Sequence, residues 1–177
     1  MWLLTILSVS ILLIISYQDF TSRLISWYYF PIVAILLLLK SLQGEQYYNL
    51  LENIVMNFLV IVFLLLMTTI LVSIKNGKIT YILDSSIGSA DILAFGLISI
   101  ALSPINLVLF LLLSFLSAAI YQLIALPFSK KAKFIPLAGI VGVLLSIVIV
   151  LQDGLNLIDL TSDFKTLGFI GGFYSYW

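Results

Sequence analysis

The sequence offers acid–base chemistry chiefly through eight carboxylates, because its 177 residues include no histidine and no cysteine. Ser-His triads, cysteine nucleophiles, thiolate metal sites and disulfides are therefore excluded. Two carboxylates stand apart. Asp19 closes an apolar run, and Asp91 lies just inside the start of another, with Ile92-Leu93-Ala94-Phe95 directly behind it. An ionised Asp within an apolar helix costs about 3 kcal/mol on insertion scales, so such residues face a partner or a water-filled cavity. The plainer reading makes both of them helix caps. If they meet at one depth, they cannot both ionise readily, and the pair holds one proton. The ionised member then takes a proton from water while the protonated member polarises a peptide carbonyl. That is hydrolysis without metal or cofactor. The spacing alone does not bring the two together; helix packing must do so.

The elements that would position them are written in the composition. The chain is 63% hydrophobic and 9% charged, with a mean hydropathy of +1.25. A soluble domain carries roughly 25% charged residues, so the bilayer is the natural solvent here. Equal numbers of basic and acidic residues call for no nucleic acid. The expected fold class is all-α, a polytopic membrane protein of about six transmembrane helices. The apolar run from Met1 to Tyr17 has neither the basic leader nor the small-residue cleavage site of a signal peptide, and reads as a permanent first span. The further spans are expected at 26–39, 54–74, 87–102, 105–126 and 135–151. Ser103-Pro104 divides the long stretch 87–126, because a residue before proline resists helix. Residues 1–152 form the membrane domain, and 153–177 form an extracytoplasmic or interfacial tail.

With the N-terminus outside, the inner loops hold Arg23, Lys75, Lys78, Lys130, Lys131 and Lys133, and the outer segments hold only Lys40 and Lys165. This bias follows the positive-inside rule. It places both termini outside, and Asp19, Asp84 and Asp91 on the cytoplasmic side of a plasma (inner) membrane. Glu45, Glu52, Asp153, Asp159 and Asp163 then fall in solvated outer segments.

Three stretches resemble the type IV prepilin peptidases, including the preflagellin peptidases. Asp19-Phe20-Thr21-Ser22-Arg23-Leu24-Ile25 is similar to the family's first catalytic motif. Gly88-Ser89-Ala90-Asp91 is similar to its Gly-x-Gly-Asp. Lys133-Phe134-Ile135-Pro136-Leu137-Ala138-Gly139 is similar to its Ile-Pro-Phe-x-Pro stretch before the last span. The likeness runs over residues 1–151. Ser26-Trp27 stands where Pro-Asn is usual, Ala90 replaces the second Gly, and Leu93 replaces a common Lys. The resemblance implies a membrane aspartic endopeptidase with Asp19 and Asp91 as catalytic residues and Arg23, Gly88, Ala90 and Pro136 in supporting or substrate-binding roles. It implies a prepilin-like precursor as substrate, cut after a short basic leader, and no cofactor or metal. The short loop after the first span and the lack of cysteine imply peptidase activity alone, without the methylation linked to a cytoplasmic insertion.

Each supporting residue has a simpler reading. Arg23, four residues after Asp19, could pair with it on a continuing helix or anchor the chain to lipid. Pro136 suits a first helical turn. Asp84 is a loop carboxylate that could attract a basic leader. Ser114 and Ser117 read as small residues at helix contacts. Two other functions use the same carboxylates: a presenilin-like protease cutting inside the bilayer, which would place its first Asp within a span, and a small proton-coupled transporter, which would place Asp near the midplane. A non-catalytic membrane scaffold is the remaining alternative.

Overall fold

The computed structural model describes residues 2–42, 47–77, 88–125, 135–155, 161–163 and 167. Among these residues run the helices α1 (Trp2–Thr21), α2 (Tyr29–Leu42), α3 (Tyr47–Asn76), α4 (Ser89–Ala101), α5 (Pro104–Ala125) and α6 (Leu137–Leu155). No strand occurs among the described residues. Each expected span is a helix. Four of them (α1, α3, α5 and α6) are long and apolar enough to cross a bilayer. The chain is thus an all-α membrane protein. The other two, α2 with 14 residues and α4 with 13, reach only about 20 Å, less than the roughly 30 Å of a hydrocarbon core. Lys78, Asp84, Lys130, Lys131 and Lys133 lie outside the described residues.

Large apolar side chains face outward all along α3, among them Phe58, Phe63, Ile70 and Leu71. Water would penalise such a surface, whereas lipid does not. Inside, Leu12, Ile15, Val33, Ile98, Leu107, Leu145 and Ile149 form a close-packed core drawn from α1, α2, α4, α5 and α6. The most extensive contact is between α1 and α6, which run antiparallel. At one end Asp19 meets Gly139. Midway Ser16 and the backbone of Leu12 meet Gly142. At the other end Thr5 meets Asp153.

Buried polar groups fix the remaining helices. The turn at Ser103-Pro104 is as expected, with proline at the first position of α5, where its missing N–H costs nothing. Asn57 of α3, fully buried, donates from Nδ2 to the carbonyls of Ser99 at 3.0 Å and Leu102 at 2.6 Å. These are end carbonyls of α4 that lack helical partners. Replacing Asn57 with Leu removes both bonds and leaves the carbonyls bare. Hydrogen bonds between membrane helices are worth about 0.6–1.7 kcal/mol each, so unfolding in detergent should show a loss of about 1–3 kcal/mol.

Two carboxylates expected in solvated segments are part of the bundle. α6 continues past its expected end through Gln152-Asp153-Gly154 to Leu155. That extra turn carries Asp153 against Lys40 of α2, at 2.9 Å, with both side chains nearly buried. Thr5 of α1 also donates to it. Asp163 accepts from the Ile105 amide at 3.1 Å and so caps α5.

Candidate active site

The first turn of α6 explains why the two Asp side chains meet. A helix begins with N–H groups that have no partner within it, and a side-chain oxygen at the N-cap usually takes one. Here the N-cap is Pro136, whose carbonyl accepts from Ile140 at 3.1 Å but whose side chain accepts nothing. The Leu137 amide turns back to the Ile135 carbonyl. The next two donors are therefore supplied from other helices. Ala138 donates to Asp91 Oδ1 at 2.9 Å, and Gly139 donates to Asp19 Oδ2 at 2.6 Å. Bonds to two successive amides place the two carboxyl groups side by side at one helix end. Asp91 also acts on Asp19 through its charge.

Every helix in the site ends there for a local reason. Asp19 lies in the last turn of α1 and is 8% exposed. α1 stops at Arg23, which adopts the left-handed region at φ 57° while its amide and that of Ser22 both donate to the Gln18 carbonyl. The Gln18 side chain then accepts from the Ser26 amide at 3.1 Å, which folds the following turn back over the helix end. The idea of Arg23 on a continuing helix is thereby corrected: it terminates the helix, and it acts on Asp19 through its charge. Asp91 stands at the third position of α4 and reaches back with Oδ2 to the Gly88 amide at 3.1 Å, one half of a capping box. Gly88 is extended, at φ −73° and ψ 151°. Ala90 packs against the core, and Pro136 is fully buried.

The structure thus brings together Asp19, Asp91, Gly88, Pro136 and the amides of Ala138 and Gly139, with Arg23 and Ala90 beside them. Each carboxylate is a cap, and the two caps share one helix end. A side chain at 139 would be crowded. A Cβ there would sit 3.1 Å from both Cβ and Oδ2 of Asp19 and 3.2 Å from the Phe20 ring. Phe20 in turn packs edge-on against Tyr121 of α5, with ring centroids 5.8 Å apart, closing this side of the site.

Sequence reasoning passed over Gly142, Lys40 and Asn57. The pair Ala138-x-x-x-Gly142 was a legible signal of close helix approach, whereas nothing in the sequence paired Lys40 with Asp153. A Cβ at position 142 would collide with Ser16 Oγ and press on the Leu12 carbonyl at 3.2 Å. The Gly142→Ala variant should therefore lose about 1–3 kcal/mol through overpacking. Adding Ser16→Gly should restore most of it, a coupling that a double-mutant cycle on detergent unfolding measures.

Among the described residues no cluster of ligating side chains could hold a metal ion. No family model matches the sequence, and no curated protein and no solved structure proves similar to it.

Proposed function

We propose that the protein is a membrane aspartic endopeptidase. The observation carrying this reading is the meeting of Asp19 and Asp91 on the neighbouring amides of Ala138 and Gly139. Two carboxylates this close carry one proton between them at lowest cost. A water between them gives up a proton to the ionised member as its oxygen attacks a peptide carbonyl, and the protonated member passes its proton to the carbonyl oxygen. The resulting gem-diol collapses as the C–N bond breaks. The proton taken from water goes to the leaving nitrogen, and the other returns to the dyad.

The site lies at one end of the bundle and not at its centre, which supports cleavage at a membrane face over cutting or ion transfer at the midplane. With the positive-inside orientation that face is cytoplasmic. The substrate is a precursor with a hydrophobic helix whose short basic leader remains in water beside the dyad, as in the prepilin-like precursors of the peptidases that the motifs resemble. The apolar flanks of the bundle are bathed in membrane lipid, through which such a helix arrives. Protein reconstituted in bilayers with such a precursor should release the leader and leave a new N-terminus at its junction with the helix, as read by mass spectrometry. An intact precursor, across the candidate precursors encoded beside this protein, would count against the proposal.

A further inference from the structure

The two carboxylates are not equivalent. Asp91 accepts an amide bond on each oxygen, from Ala138 on Oδ1 and from Gly88 on Oδ2. Asp19 accepts on Oδ2 alone, from Gly139, and its Oδ1 accepts nothing from the described residues. Amide donors stabilise the ionised form, and a carboxylate holding two of them gives up its charge less readily than one holding a single donor. A carboxylic acid, conversely, needs an oxygen free to carry its hydrogen outward as a donor.

From this asymmetry we infer that Asp91 is the ionised member of the resting dyad and takes the proton from water, that Asp19 carries the shared proton toward the substrate carbonyl, and that the Gly88 amide is the positioning group that sets these roles. The inference rests on the endopeptidase reading. In the attack step Asp91 gains the water proton and Asp19 gives its own to the carbonyl oxygen. In the collapse step Asp91 delivers its proton to the leaving nitrogen and the gem-diol hydroxyl returns one to Asp19, which regenerates the starting state. The other charged or titratable groups on the elements packed here do not replace this asymmetry. The Arg23 cation acts on Asp19 in the opposite sense, favouring its ionised form, and in this assignment the second amide on Asp91 outweighs it. Tyr121 of α5 packs on the Phe20 ring. Tyr29 of α2 engages Tyr28 and Gln18. In α3, which also packs on α4, Glu52 and Lys75 are exposed. α6 offers amides.

Gly88 permits a clean test, because its φ of −73° is one that proline adopts. Gly88→Pro deletes the amide donor. Gly88→Ala keeps it and adds a Cβ 3.4 Å from Asp91 Oδ2, an ordinary contact. With wild-type cleavage established, the pH–rate profile of Gly88→Pro should show its acidic limb moved about one unit to higher pH. The basic limb should stay in place, and both limbs of Gly88→Ala should coincide with those of wild type. A basic limb that moves while the acidic limb stays would overturn the assignment. Infrared spectra of the Asn variants test it where Gly88→Pro does not fold. Followed across pH, the carboxylic-acid C=O band of Asp91→Asn, which reports the single-donor Asp19, should disappear at higher pH than that of Asp19→Asn, which reports the double-donor Asp91; an equal or reversed order would overturn the assignment. Absence of cleavage by the wild type, in contrast, counts against the endopeptidase reading itself.

Discussion

Asp19→Asn and Asp91→Asn should each lower precursor cleavage by about a thousand-fold while the protein remains folded. The two halves of this result have separate causes. Asn keeps an acceptor oxygen where Asp had one and ranks with Asp as a helix cap. The bonds to Gly139 at 2.6 Å and to Ala138 at 2.9 Å therefore survive and α6 keeps its anchors, while Asp91→Asn gives up its second bond, from the Gly88 amide. The amide holds no exchangeable acid proton and accepts none from water, so the chemistry stops. Asp19→Ala and Asp91→Ala should lose cleavage to the same degree and, in addition, about 1–2 kcal/mol of stability each, the cost of a deleted cap. Cleavage by purified protein and unfolding in detergent separate the effects. A purely capping pair would show unchanged cleavage in the Asn variants, and a pair with no capping role would show no stability gap between Asn and Ala.

Lys40→Leu should destabilise the protein by about 3–5 kcal/mol, the largest stability effect expected of a single substitution here. It strands the Asp153 carboxylate among α1, α2 and α6, where side chains on both sides of the ion pair are nearly buried and water is scarce to take the place of the ammonium. Thr5 still donates to Asp153, but one hydroxyl does not neutralise a charge. Changing Asp153 to Leu together with Lys40 removes both charges, and a buried pair replaced in this way is close to neutral in stability. The double variant should therefore unfold near the wild type, well above Lys40→Leu. Since this pair lies at the end of the bundle opposite the dyad, the double variant should also keep its cleavage activity. Equal stability of Lys40→Leu and wild type would mean that the pair is solvated and holds nothing together.

Much of this arrangement was legible beforehand. Runs of apolar residues located all six helices, and Ser103-Pro104 located the α4–α5 break, because both signals are local. Asp19 and Asp91 were legible because a carboxylate at an apolar helix end is costly without a reason to be there. What joins them was not. The two are bound by α6 amides, and an amide has no side chain to read. Only the non-capping Pro136 and the small residues Ala138 and Gly139 hinted that this helix start takes its acceptors from elsewhere. The continuing helix on which Arg23 could pair with Asp19 does not form, because φ 57° ends it, although the Arg23 charge still acts on Asp19. Asp153 was misread because α6 runs one turn beyond its apolar stretch, which a buried ion pair allows and hydropathy does not register.

Underlying the proposed activity is a single proton held by two carboxylates on one helix end. Infrared difference spectroscopy between wild type and the Asp19→Asn Asp91→Asn double variant, in bilayers at neutral pH with isotopically labelled Asp, counts that proton directly. The expected difference is the loss of one carboxylic-acid C=O band together with one carboxylate band. Loss of two carboxylate bands and no carboxylic-acid band would mean that both groups are fully ionised caps, and would contradict the shared-proton dyad.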